Sequence, residues 1–213
     1  MKHKVIIADD HPIVLAGLEK VINENENFYI ADKAYNGKDA LELIEKHNAP
    51  FAVLDIEMPV MNGKEVCEKL AGKCKIILIT MHNDEWLFNE VMDAGAYSFI
   101  PKDSALDEII DCLNAAAANK PYVAKGLIDF FNKRNLITEQ KHKQKELLSQ
   151  LTKSELNILK LIAKGKTTPE IADILFVSNK TVENHRYNIC KKLNITGNNA
   201  LVKFVSDIKA ILS

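Results

Sequence analysis

Long apolar runs are missing from this 213-residue sequence, and nothing in it approaches the roughly 20 consecutive apolar residues that a membrane-spanning helix requires. The N-terminus, MKHKVIIADD, meets two acids after only four apolar residues. That is too short for the core of a signal peptide and points to a cytoplasmic protein that engages no membrane. Cysteine is sparse. Cys67, Cys74, Cys112 and Cys190 form no CxxC pair and have no histidine at zinc-ligand spacing, which excludes a structural zinc site and leaves four ordinary thiols. Internal repeats and low-complexity tracts are also absent.

Net charge is almost absent too, at -1, but the small total conceals a division. Residues 1–133 hold 14 Lys and Arg against 22 Asp and Glu, a net -8, whereas residues 134–213 hold 14 against 7, a net +7. A basic C-terminal third suits an encounter with phosphate backbones, and an acidic remainder does not.

From residue 4 to about 119, strand-like apolar runs alternate with amphipathic helical stretches. The strands are KVIIA (4–8), FYIADKAY (28–35), FAVLD (51–55), KIILIT (75–80) and YSFI (97–100). Five strands, each followed by a helix, predict a flavodoxin-like, doubly wound parallel sheet in the order 2-1-3-4-5, covered on both faces. Burial on both faces explains why the first, third and fourth strands are apolar almost throughout. After residue 120 the strand signal ends. Residues 121–150 read as a partly helical linker, with ITEQKHKQKELLSQ (137–150) polar and poor in apolar residues. Four helical patterns follow in 151–213: one opened by a Thr152/Glu155 capping box and ended by Gly165, one capped by Thr168 with Pro169 next, one starting at Ser178, and one closing the chain. Two short helices joined by a tight turn outline a helix-turn-helix.

In such a sheet, chemistry sits beyond the carboxyl ends of the strands. The first strand ends in Asp9 and Asp10, the third in Asp55 and the fourth in Thr80, and Lys102 follows the fifth. Three carboxylates brought to one rim repel one another unless a cation sits among them, and an all-oxygen, open site suits Mg²⁺. Asp55 stands where a carboxylate could attack phosphorus, with the Thr80 hydroxyl and the Lys102 ammonium placed to hold phosphoryl oxygens. His11 and His82 read as loop residues, and Trp86 and Phe88 as partial packing on the sheet.

The segments IADDHP, LDIEMPVMNG, ILITMH and AGAYSFIPKD occur in order at these strand ends and resemble the receiver domain of bacterial two-component response regulators over about residues 1–120. The resemblance implies that Asp55 is the phosphoacceptor and that Asp9, Asp10, Asp55 and the backbone carbonyl of Glu57 bind Mg²⁺. It also implies that Thr80 and Lys102 contact the phosphoryl group. A threonine and an aromatic ring move together on phosphorylation in that family, and the ring position falls on Phe99. There the more usual tyrosine is replaced by a ring that can either swing between rotamers or stay fixed in the core.

In SNKTVENHRYNICKKL, apolar Val182, Ile189 and Leu193 recur at helical spacing and turn Lys180, Glu183, Asn184, Tyr187, Asn188 and Lys191 outward. Such a face fits the major groove of duplex DNA. Residues 151–195, LTKSELNILKLIAKGKTTPEIADILFVSNKTVENHRYNICKKLNI, resemble the LuxR-type helix-turn-helix of the NarL/FixJ class of response regulators. By position, the resemblance puts Glu183, Asn184 and Tyr187 at bases and Lys180, Thr181 and Lys191 at phosphates. Glu183 departs from a usually basic position, and Pro169 from one usually basic or polar.

Together these readings predict a transcription factor, not an enzyme, switched by a cognate histidine kinase acting on Asp55 and binding double-stranded DNA as a homodimer. Two alternatives stand beside it. A Mg²⁺-dependent phosphatase would use Asp55 on a small substrate, but no loop is long enough for a lid. A receiver that is never phosphorylated would work as a constitutive binding module, which the intact Asp, Thr and Lys set disfavours.

Overall fold

Residues 2–70, 72–196 and 199–208 are described by a computed structural model. The first part alternates β1 (His3–Ala8), α1 (Pro12–Glu24), β2 (Phe28–Ala34), α2 (Gly37–His47), β3 (Phe51–Asp55), α3 (Gly63–Leu70), β4 (Lys75–Thr80), α4 (Glu85–Asp93), β5 (Ser98–Pro101) and α5 (Ala105–Ala117). A short 3₁₀ turn at Lys125–Leu127 leads into α6 (Ile128–Ser149), followed by α7 (Lys153–Ala163), α8 (Thr168–Leu175), α9 (Asn179–Lys192) and α10 (Ala200–Asp207). The chain divides into two compact units, residues 1–134 and 135–213. No helix among the described residues is long and apolar enough to cross a membrane.

The first unit is the expected parallel sheet, in the order β2-β1-β3-β4-β5. Its middle strands are buried through Val5–Ala8, Phe51–Asp55 and Ile76–Thr80, because helices cover both faces. α1 packs on α5, while α2 packs on α3, and the Lys64 ammonium of α3 bonds the Glu90 carboxylate of α4. β3 aligns with β1 and β4 so that Ala8 faces Leu54 and Asp55 faces Ile79, and Thr80 in turn faces Pro101 of β5. This register brings the polar strand ends to one rim. Three of the five strands differ slightly from the sequence pattern. β1 begins one residue earlier, at His3, β2 ends at Ala34, and β5 is shifted by one residue to include Pro101, which an edge strand tolerates.

The polar stretch 137–150 is helical to Ser149, as part of a 22-residue α6 that spans the boundary between the units. It contains no Gly or Pro and is rich in Lys, Gln, Glu and Leu, so intrinsic propensity supports a helix through this polar linker candidate. At its start Leu127, Phe130 and Phe131 join the core of the first unit, and at its end Leu147 and Leu148 join that of the second.

The second unit packs α7 to α10 around Ile158, Leu159, Ile171, Val182, Ile189, Leu201 and Val205. α8 is capped by Thr167, one residue earlier than the sequence suggested. Only from there does Glu170 fall at the third helical position, where its Oε2 accepts from both the Thr167 N–H and hydroxyl at 2.8 Å. Gly165 takes a φ of +77° just past the end of α7. The expected C-terminal helix is present as α10, and residues 209–213 lie outside the described part.

Candidate functional site: an acidic rim and an outward-facing helix

At the rim, Asp9 and Asp55 are buried to 0% and 2% exposure, while Asp10 is open to solvent. Lys102 reaches between the buried pair. Its Nζ donates to Asp55 Oδ2 at 2.8 Å and lies 2.8 Å from Asp9 Oδ2 as an ion pair. The Lys102 N–H also donates to the Thr80 carbonyl at 2.7 Å, which fixes the segment after β5 to the end of β4. Burial pushes the Asp55 carboxyl above its ordinary range; the Lys102 hydrogen bond opposes this, and the negative charge of Asp9 adds to it. For Lys102, burial pulls the other way, yet the two carboxylates hold its ammonium above the ordinary lysine value. One ammonium thus serves two buried carboxylates, and the local charge remains negative.

Ligand atoms of Asp9, Asp10, His11 and Asp55 lie within 4.8 Å of one another, a group that could hold a metal ion. Asp9 Oδ2 is buried, and the Lys102 ammonium 2.8 Å away is shared with Asp55. Buried carboxylates that share one ammonium in a cluster of net negative charge fit a hard cation. His11 is mostly exposed, and its Nδ1 lies 2.7 Å from Asp10 Oδ1 and 3.1 Å from Asp9 Oδ1, so it belongs to the acids around it.

The other predicted residues are placed as follows. The Glu57 N–H donates to the Asp55 carboxylate, and the exposed Glu57 side chain lies 3.3 Å from His82 Nε2. Thr80 is buried, and its Oγ1 accepts from the His82 N–H at 3.0 Å. Phe99 is 1% exposed and points into the core. The β3–α3 loop makes its bend at Val60, with a φ of +70° and the Met61 N–H donating to the Pro59 carbonyl at 2.8 Å. A β-branched residue rarely adopts that conformation, and no sequence signal marked it.

On α9, Ser178 caps the helix by accepting from the Thr181 N–H at 3.1 Å, and Val182 and Ile189 are buried. Lys180, Glu183, Asn184, Tyr187, Asn188 and Lys191 are exposed, and His185 is half-buried. The Thr181 hydroxyl is 2.8 Å from Ser178 Oγ, within the cap, and Lys180 lies 3.5 Å from Glu183. Lys192, beside Lys191 in sequence, has a structural role. Its Nζ donates to Glu155 Oε2 at 2.7 Å, joining α9 to α7. Sequence reading also passed over Phe176, in the turn before α9, which is 95% exposed at a φ of +55°.

Glu155 collects the Lys192 ammonium together with the Thr152 N–H (2.8 Å) and hydroxyl (2.9 Å), and its carboxyl is held below the ordinary glutamate value, by Lys192 first. Because the folded value lies below the unfolded one, this stabilisation is complete above about pH 4.3 and is lost as pH falls through the folded value. Melting of the second unit followed from pH 6 to pH 3 should therefore show a decline that is weaker in Glu155→Gln. At neutral pH that variant should lose about 1–2 kcal/mol, the scale of a hydrogen bond to a charged group. A variant with the same pH profile as the parent would contradict the role given to Glu155.

Comparison with known proteins assigns both units. The response regulator receiver domain matches residues 5–114, and the pattern of bacterial regulatory proteins of the luxR family matches residues 149–205. The oxygen regulatory protein NreC of Staphylococcus epidermidis is 32% identical over 210 residues, covering 94% of this chain and 95% of the relative. The response regulator UvrY of Escherichia coli is 30% identical over 196 residues, covering 91% and 88%. Among solved structures, the complex of the response regulator RcsB with DNA shares the fold at a TM-score of 0.58 and 24% identity, over 98% of this chain and 100% of that one.

Proposed function

The chain is a DNA-binding two-component response regulator of the NarL/FixJ family, and from that premise we propose that Asp55 accepts a phosphoryl group from a histidine kinase and thereby controls DNA binding by α9. We assign residues 1–120 to the receiver, 121–150 to a connecting segment and 151–213 to the DNA-binding domain. The supporting observation is the pair of buried carboxylates, Asp9 and Asp55, sharing the single Lys102 ammonium at the rim.

Asp55 Oδ1 or Oδ2 attacks phosphorus, and the bond to the donor nitrogen or oxygen breaks as the acyl phosphate forms. Lys102 then exchanges part of its bond to Asp55 for a phosphoryl oxygen, and the Thr80 hydroxyl turns to donate to another. Asp9, Asp10, Asp55 and the Glu57 carbonyl would hold Mg²⁺, which supplies charge neutralisation at the transferring phosphoryl group. The arriving charge of about -2 changes the balance at a rim built around one cation, so the segment after β4 repacks. Thr80 and Phe99 are the residues assigned to that switch.

In the DNA-binding domain, Asn184, Tyr187 and Glu183 face base edges, with Glu183 able to accept from cytosine N4, while Lys180, Thr181 and Lys191 serve phosphates. Two half-sites about one helical turn apart call for a homodimer, and such a regulator works in the cytoplasm. Affinity for duplex DNA should fall steeply with salt. Lys191→Ala should weaken binding to all sequences and reduce the magnitude of the log–log salt slope by roughly 0.9, one phosphate contact. An unchanged slope would remove Lys191 from the interface. Genomic DNA selection with and without a phosphodonor tests the whole reading: enrichment of one site class that depends on the donor is expected, and an identical selection in both arms would refute the switch.

A further inference from the structure

From Phe99 of β5 to the first turn of α6 runs a series of aromatic contacts. Phe99 of β5 lies edge-on to Phe88 of α4, with ring centroids 6.0 Å apart and planes at 77°. Phe88, 3% exposed, meets Phe130 in the first turn of α6 at 6.1 Å. All three rings are within the range of direct aromatic contact. Charged groups hold α6 over the same helix. Lys133 Nζ lies 2.8 Å from Glu85 Oε2, and Arg134 Nη2 lies 2.6 Å from Asp93 Oδ1, while Arg134 Nη1 donates to Asn89 Oδ1 at 3.3 Å. Two consecutive side chains of α6 therefore reach the two ends of α4. On its other flank α4 is tied to α3 through Lys64 and Glu90.

We infer that Phe88 is a positioning residue that couples the phosphoacceptor rim to the first turns of α6. α4 lies in the chain between Thr80, which ends β4, and Phe99 on β5, so any repacking of the segment after Thr80 or of the Phe99 ring bears on Phe88. At the packing density of a protein core, a ring touched on both sides cannot yield to one neighbour without shifting the other. Phe130 is that other neighbour, and α6 continues from it as one helix to Ser149. The ion pairs at Glu85 and Asp93 are surface contacts that orient α6, and the rings carry the coupling. The inference rests on Asp55 being the phosphoacceptor.

The test is amide hydrogen exchange of peptides covering residues 127–134 in the full-length protein, with and without acetyl phosphate and Mg²⁺, alongside intact mass on the same samples. In the parent, phosphorylation is expected to change exchange there by about tenfold, within the usual span of coupling between sites. Phe88→Leu should retain the mass gain but reduce that change to less than about twofold. Phe130→Leu, at a half-buried position, should do the same and keeps the test decisive if the first variant folds poorly. Arg134→Glu leaves the rings in place: it should raise exchange in both states while preserving the phosphorylation-dependent difference, and Arg134→Lys should restore the parental baseline. A merely structural role would alter the baselines without altering the difference. A mass gain in the parent with no change at 127–134, or an undiminished change in both ring variants, would overturn the coupling alone. The absence of any mass gain would overturn the phosphoacceptor assignment and the coupling with it.

Discussion

Asp55→Asn is expected to lose phosphoryl incorporation altogether while becoming more stable than the parent. Incubation with acetyl phosphate and Mg²⁺ should add one phosphoryl group to the parent and none to the variant, as read by intact mass, because an amide is no nucleophile toward phosphorus. In the same variant without divalent ions at neutral pH, the melting midpoint should rise. Two buried carboxylates now share one ammonium at 2.8 Å from each, and removing one charge leaves Lys102 paired with Asp9 alone. The gain should be on the order of 1–2 kcal/mol, since burial and the neighbouring charge of Asp9 both disfavour the ionised Asp55. Function and stability then move in opposite directions, as they do where strain is kept for chemistry. Equal mass gain in parent and variant would sink the assignment. Steady release of inorganic phosphate from many small phosphoesters would instead favour the phosphatase reading.

Gly63→Ala should strongly destabilise the first unit. Gly63 opens α3, and its N–H donates to the Ile56 carbonyl at 2.9 Å, closing the loop that leaves Asp55. A Cβ there would stand 2.3 Å from the carbonyl oxygen of Asp55 and 2.9 Å from Leu78 Cδ2. The obstructing atom is backbone of the buried β3, so the loop must yield, and with it the position of the Asp55 carboxylate. A loss of about 3 kcal/mol or more is expected, at the upper end for overpacking, together with slower phosphorylation of whatever remains folded. Gly126→Ala is the control. A Cβ at Gly126 has nothing within 4 Å, so the change should be neutral or stabilise by up to about 1 kcal/mol. Denaturant unfolding of both variants distinguishes the cases, and a Gly63→Ala protein as stable as the parent would show that the loop is not seated as described.

The acidic rim was legible in sequence because each of its residues ends or follows a strand. Apolar runs mark where β1, β3 and β4 stop, and the residues after them must emerge together once the strands lie side by side in parallel. The same logic read α9 from the spacing of Val182 and Ile189 and set its outward face. It missed one role set by a contact between distant segments and two features set locally. The pattern turned Lys191 outward but gave no role to Lys192, whose ammonium is held by Glu155, 37 positions earlier. Thr168 and Thr167 are equally good caps until the reach of Glu170 decides between them. Residues 137–150 look like a linker by polarity, although their residues individually favour a helix.

By itself, then, the sequence determined the alternation of strands and helices, the carboxylates, hydroxyl and ammonium at the strand ends, and the outward face of α9. Each of these follows from periodicity and from short-range chemistry, which a single chain displays along its length. Only the tertiary structure decided that Lys102 divides itself between Asp9 and Asp55, and that Phe88 lies between Phe99 and Phe130. Those are relations between residues up to 93 positions apart, set by packing in three dimensions, for which one-dimensional spacing carries no signal.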